Sequence, residues 1–231
     1  YWYANRIQKQ VQTNLISYVH PLFKGSWAQI SQGQITPTDT GRQLNVNWLS
    51  PSGRWRITAI EGQYQTKQPD LSTVQHRPQL LSLRYSLLPG FWAIDLTQGQ
   101  FYNGDRGKRI MSHHWFGDHR LTFYVRDSQS ADHVTMPRTK FAGFEITFPL
   151  GPKQSGFIGP FSIRGSDQFA FSLETKVGAK DNYITPGYGA VPTLRHGLND
   201  VMDFDRTGYT DMWANRYRIR AVMRELTAAP L

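Results

Sequence analysis

The chain has 231 residues, 39% hydrophobic and 13% aromatic, with a net charge of +9 from 26 Lys and Arg against 17 Asp and Glu. The aromatic content excludes intrinsic disorder. The lack of any run of about 18 apolar residues excludes a transmembrane helix, but not a membrane β-barrel, whose strands are only half apolar. The absence of cysteine excludes thiol catalysis, cysteine zinc sites and disulfides, and leaves cytosol, periplasm and outer membrane open.

The chain opens Tyr1-Trp2-Tyr3 with no Met start and no signal peptide, and so reads as a mature product or a piece of a longer protein. Its basic residues are dispersed, with no run beyond pairs such as Lys108-Arg109. That pattern suits an acidic polysaccharide as well as it suits nucleic acid, and no nucleic acid is expected here.

From the first clear pattern onward the dominant period is two, the signature of strands. Leu44, Val46 and Trp48 alternate with Asn45 and Asn47. Over 54–66 the apolar phase slips near Ala59-Ile60, which predicts a β-bulge. In Leu81–Leu87 the odd positions are apolar. Trp92, Ile94 and Leu96 then oppose Asp95 and Thr97. Leu121, Phe123 and Val125 alternate with Thr122, Tyr124 and Arg126. Residues 142–150 and 169–177 repeat the pattern, with Glu145 and Glu174 on their polar faces.

Turn signals at Pro21 to Gly25, Pro51-Ser52-Gly53, Pro89-Gly90 and Gly117-Asp118 all fall at one end of the predicted sheet. Longer polar links at 36–41, 67–78, 103–107 and 127–139 fall at the other. Segment 151–167 breaks the rule, being long where a tight turn is expected. Alternation fades after residue 178, and 211–228 reads as a short helix with Arg216, Arg218, Arg220 and Arg224. No internal repeat is visible beyond the hairpin rhythm.

Short turns at one end and long loops at the other is the layout of outer-membrane barrels. The expected fold is therefore all-β: an antiparallel transmembrane β-barrel of about ten strands, complete or part of a larger one. Residues 1–178 would supply strands and hairpins, and 179–231 an irregular segment and a C-terminal helix of the same domain. Trp48, Trp55, Trp92, Trp115 and Phe116 lie beside the tight turns, as an interfacial girdle would. A soluble β-sandwich with one wet face is the competing fold.

Few residues carry chemistry. His113 and His114 are adjacent, so on a strand they point to opposite faces and cannot easily chelate one metal. Glu145 and Glu174 suggest either a glycosidase-like carboxylate pair or ion-pair partners for arginines such as Arg126 and Arg84. Asp200, Asp203 and Asp205 lack the glycine spacing of a calcium loop. Gly99–Gly107 is followed by no Lys-Ser/Thr and is not a phosphate loop. Ser86, Ser112 and Ser162 have no nucleophile-elbow context. No enzyme activity, cofactor or metal is expected. The set that remains would line a lumen: Asn45, Asn47, Arg56, Thr58, Arg84, Asp95, Thr97, Arg109, Tyr124, Arg126 and Glu145. Of these, Arg56, Arg84, Asp95, Arg109, Tyr124, Arg126 and Glu145 are the candidate polymer contacts.

Several strings in order, Asn47-Trp-Leu-Ser-Pro-Ser-Gly-Arg-Trp55, Gly99–Gly107, Trp115-Phe-Gly-Asp118, Phe141–Leu150, Ile163-Arg-Gly-Ser-Asp167 and Asn182-Tyr-Ile-Thr-Pro-Gly187, resemble the C-terminal part of the YjbH/GfcD family. The resemblance covers roughly residues 40–190. It implies an outer-membrane β-barrel protein of Gram-negative exopolysaccharide and capsule systems. Members of that family are longer, with an N-terminal signal and further strands, so this chain is similar to a fragment or to one subunit of a split barrel. The resemblance implies location and pathway, with no catalytic residues to carry over. The expected function is thus a component of exopolysaccharide or capsule export in the bacterial outer membrane. Its expected partners are outer-membrane lipid, anionic or neutral polysaccharide, and other envelope proteins or the rest of a larger barrel. A structural scaffold barrel and a polysaccharide-modifying enzyme using Glu145 and Glu174 are the alternatives.

Overall fold

The computed structural model describes residues 14–35, 39–67, 73–102, 104–117, 119–129, 138–150, 155–158, 161–164, 168–178, 184–186 and 224. These form β1 (Asn14–Pro21), β2 (Ser26–Gln34), β3 (Asp39–Leu49), β4 (Trp55–Lys67), β5 (Thr73–His76), β6 (Gln79–Leu88) and β7 (Trp92–Gln100). There follow β8 (Arg106–Phe116), β9 (His119–Gln129), β10 (Thr139–Pro149), β11 (Ser155–Ile158), β12 (Phe161–Arg164), β13 (Gln168–Val177) and β14 (Ile184–Pro186). Ten of them have eight or more residues. Strands of that length exceed the roughly 5–6 residues usual in soluble sheets.

One antiparallel sheet runs β1-β2-β3-β4-β6-β7-β8-β9-β10-β13-β14, with β5 paired to the far end of β4. Every long strand pairs with its chain neighbour in the row. The sheet is not closed into a barrel, so the closure expected from the sequence has no counterpart among the described residues. The predicted helix at 211–228 lies outside those residues except for Arg224, which is helical.

The tight turns form as their residues require. In Leu88-Pro89-Gly90-Phe91 the proline sets φ at the first corner and Gly90 takes φ 78° at the second. The Phe91 N–H closes the turn on the Leu88 carbonyl at 3.0 Å. Phe23–Ser26 repeats this with Gly25, also at φ 78°, and a 2.7 Å bond from Ser26 N–H to the Phe23 carbonyl. Segment 151–167 holds the separate hairpin β11–β12, and β10 and β13 pair directly on either side of it. The insertion therefore leaves the strand count intact.

From β2 to β10 the long strands each have a buried and an open face. On β8 Arg109, Met111, His113 and Trp115 are buried while Ile110 and Phe116 are exposed; on β9 Arg120, Thr122, Tyr124 and Arg126 oppose Phe123 and Val125. Two expectations fail here. The pairing of β4 with β3 and β6 runs unbroken through Ala59 and Ile60, with no bulge. Ile60 simply takes a position on the polar face, and the irregularity falls instead between Ser86 and Leu88, next to the turn. Trp115 is no girdle residue either: its odd position on β8 puts it on the buried face, 4% exposed.

Glycines on the buried face make room for tyrosines. A Cβ on Gly143 would come within 2.6 Å of both the Leu173 carbonyl and the Tyr124 ring, and one on Gly41 within 2.7 Å of Tyr64. The structure also exposes a duplication that the sequence reading missed. Gln32-Gly33-Gln34, Asp39 and Gly41 recur 66 residues later as Gln98-Gly99-Gln100, Asp105 and Gly107. Gly33 pairs with Gly41 across β2–β3, and Gly99 with Gly107 across β7–β8. Gly33 and Gly99 share a φ that side chains rarely adopt, 143° and 144°. Both loops close alike, by Ile35 N–H to Asp39 carbonyl (2.8 Å) and Phe101 N–H to Asp105 carbonyl (2.7 Å).

Candidate functional site: the charged buried face

The buried face carries an array of ions in three groups. In the first, β6 and β7 leave the Pro89-Gly90 turn and set Arg84 directly opposite Asp95. The guanidinium grips both carboxylate oxygens, at 2.5 and 2.6 Å. His113 on β8 stands 3.2 Å from the same carboxylate. A carboxylate only accepts, so the proton sits on Nε2, and Nδ1 faces the Thr122 hydroxyl at 2.9 Å. Trp115 lies beside the group, its ring 5.8 Å from the Arg84 guanidinium.

The second group joins β9 to β10. Arg120 approaches the fully buried Glu145 at 3.5 Å, and the Thr147 hydroxyl donates to Glu145 at 3.3 Å. The third centres on Arg126, which reaches Asp105 at 2.6 Å and Glu174 at 3.4 Å; Tyr124 donates its hydroxyl to Glu174 at 3.1 Å. Glu174 can be reached from β9 because the residue opposite it on the intervening strand is Gly143.

Arg109 differs from these arginines. It is 3% exposed, its strand neighbours in register are Thr97 and Arg126 instead of an acid, and its Nε, like that of Arg120, has no hydrogen-bond partner. Phe101, from the β7–β8 loop, covers it at 5.4 Å and covers Arg126 at 5.8 Å. Arg56 is also on this face, opposite Arg84 in register.

All seven candidate contacts named from the sequence therefore share one face, and so do Asn45, Asn47, Thr58 and Thr97. They do not form one site: Arg84 and Asp95 belong to one group, Glu145 to another, and Tyr124 and Arg126 to the third. The two glutamates are each closed in by an arginine and do not line an open cleft of the kind a glycosidase pair needs. The expected partnership of Arg126 with a glutamate is present, whereas Arg84 takes Asp95. Hairpin arithmetic would have found that pair, since 84 and 95 lie equally far from the turn. His113 is buried and His114 half-buried on opposite faces, and among the described residues no three His, Asp or Glu side chains gather as metal ligands.

No protein-family model, curated protein or solved structure matches the chain.

Proposed function

We propose that this sheet is a membrane-embedded wall of an outer-membrane component of an exopolysaccharide or capsule export or assembly system. The observation that carries the membrane part is an inverted distribution of polarity. Among the described residues, 21 polar or charged side chains are buried against seven apolar or aromatic ones, and 23 large hydrophobic side chains are exposed. Leaving a Leu, Ile or Phe in water forgoes about 1.5–3 kcal/mol each, so a water-soluble fold would not select this arrangement. In hydrocarbon the same arrangement is favourable.

The exposed apolar residues form a belt that crosses the sheet through Ile30, Leu44, Val46, Ile57, Leu83, Leu96, Ile110, Phe123 and Phe171. From Trp92–Leu96 at the shortest to Ala142–Leu150 at the longest, the belt runs about 13–26 Å along the strands, taking 3.3 Å per residue. Its tallest part is close to the ~25 Å band of membrane barrels. It ends, toward the long loops, in Gln63, Gln98, Lys108 and Lys140.

The pathway part rests on the resemblance of the ordered strings to the YjbH/GfcD family. Among the described residues the buried face is packed with paired ions, which favours a wall or scaffold role over an open conduit along this face.

The membrane reading is tested with Phe144→Arg and Ser172→Arg. An arginine on the lipid face at the midplane costs about 2–4 kcal/mol, so Phe144→Arg should fail to fold into lipid vesicles by heat-modifiable gel mobility. Ser172, on the buried face opposite Glu145, should accept arginine beside that carboxylate. Equal folding of the two variants would overturn the assignment of faces. Thr147 is unsuited as the control: it is 1% exposed and wedged between Arg120 and Glu145.

A further inference from the structure

Three exposed arginines at the long-loop end are braced by amides instead of carboxylates. Arg42 points Nε and Nη2 at the Gln63 side-chain carbonyl, at 3.1 and 2.7 Å. Arg77 Nη2 donates to Gln75 at 3.0 Å, and Arg106 Nε to Gln100 at 3.1 Å. Gln100 in turn donates to the Arg77 backbone carbonyl at 3.0 Å, tying the last two pairs together. No carboxylate reaches any of the three among the described residues.

The contrast is chemical. Arg84, Arg120, Arg126 and Arg138 each meet an Asp or Glu, which cancels their charge. A neutral amide holds a guanidinium in place and leaves its charge and remaining N–H groups available. Arg42 and Arg77 also line a cleft of about 590 Å³, together with Gln32, Gln63, Gln65 and Gln75 and with no Asp or Glu. That volume lies within the ~300–1,000 Å³ usual for ligand sites.

The lining selects among ligands. An apolar molecule seated here would cover the Arg42 and Arg77 guanidinium groups and the glutamine amides without giving them partners. A nucleic-acid strand needs free aromatic platforms, and His76 in this cleft is already stacked on Tyr102 at 4.3 Å. Amides donate and accept at once, which suits sugar hydroxyl groups, and the planar guanidinium fork suits a carboxylate.

We propose that this cleft binds an acidic polysaccharide, taking its carboxylates on Arg42 and Arg77 and its hydroxyls on the surrounding glutamines. The proposal rests on the export reading for why such a polymer would reach this end of the sheet, and on the cleft alone for the binding chemistry.

The test is calorimetric titration of the folded, detergent-solubilised chain with a galacturonate oligomer, a neutral dextran oligomer and lipopolysaccharide. The galacturonate oligomer should bind, more weakly as salt is raised, and dextran should bind less. Replacing both arginines, Arg42→Gln with Arg77→Gln, should weaken galacturonate binding about tenfold, as expected for two exposed charge pairs. A second variant, Gln63→Glu with Gln75→Glu, keeps the arginines but gives each a carboxylate, and should weaken binding comparably. Equal binding of galacturonate and dextran would overturn the proposal. So would galacturonate binding unchanged in both variants, or binding of lipopolysaccharide alone. Because the measurement is made in detergent, failure here leaves the membrane reading standing, and failure of the Phe144→Arg test leaves the cleft standing.

Discussion

Asp95 holds together the most connected group on the buried face, and its removal separates two ways of thinking about buried ions. Asp95→Leu would leave the Arg84 guanidinium, 7% exposed, without its two-point partner, and His113, fully buried, without an acceptor. Stranding a buried charge typically costs about 3–5 kcal/mol. Arg84→Leu with Asp95→Leu removes the stranded charge and leaves only the orphaned His113 N–H, at about 1–3 kcal/mol. The His113 orphan is common to both variants and cancels, so the double variant should be more stable than the single one by about 3–5 kcal/mol, despite carrying two changes. Urea unfolding in detergent, followed by tryptophan fluorescence, measures the difference, since Trp115 stands over Arg84. A double variant as unstable as Asp95→Leu, or more so, would show that the pair stabilises by its own attraction and would refute the argument.

Two further outcomes follow from the geometry. Gly143→Ala places a methyl group 2.6 Å from the Leu173 carbonyl and the Tyr124 ring; this overpacking should lower stability by about 1–3 kcal/mol, and the same unfolding assay reads it. Burial pushes the Tyr102 hydroxyl pKa, in the β7–β8 loop, up to about 12, with the Asp39 carboxylate adding to the rise. The raised value favours the neutral form in the folded state, so its contribution is full below pH 10 and disappears as pH climbs to about 12. Unfolding curves across that window should fall more steeply for the wild type than for Tyr102→Phe, and parallel curves would contradict the assignment.

The faces of the sheet were legible because alternation is a local property. Phe144, Glu145 and Ile146 need only their neighbours to declare which side each takes. Turn chemistry was legible for the same reason, as Pro89-Gly90 shows. What escaped the sequence reading was either a residue whose type misled about its face or a contact that depends on which strands meet. Trp115 carries the composition of a girdle residue, and only its odd position on β8 reveals the buried side. The apparent slip at Ala59-Ile60 was an apolar residue placed on a polar face, which periodicity cannot tell from a bulge. The bracing of Arg42 by Gln63 joins residues 21 apart on neighbouring strands, and no spacing rule points to it. The duplicated hairpins were readable in principle, since Gln-Gly-Gln with Asp and Gly at matching offsets occurs twice. Intervening substitutions hid the match until the shared φ of Gly33 and Gly99 marked it.

That duplication sets a stricter rule on growth than hairpin pairing does. From β2 to its counterpart β7 is four places along the sheet, so the two matching hairpins recur at an interval of four strands, and a unit copied at that interval would be a quartet with β5 as a side branch. Adding a hairpin changes a strand number by two and keeps it even. Adding a quartet changes it by four, and a cylinder assembled only from whole quartets has a circumference that grows in steps twice as large.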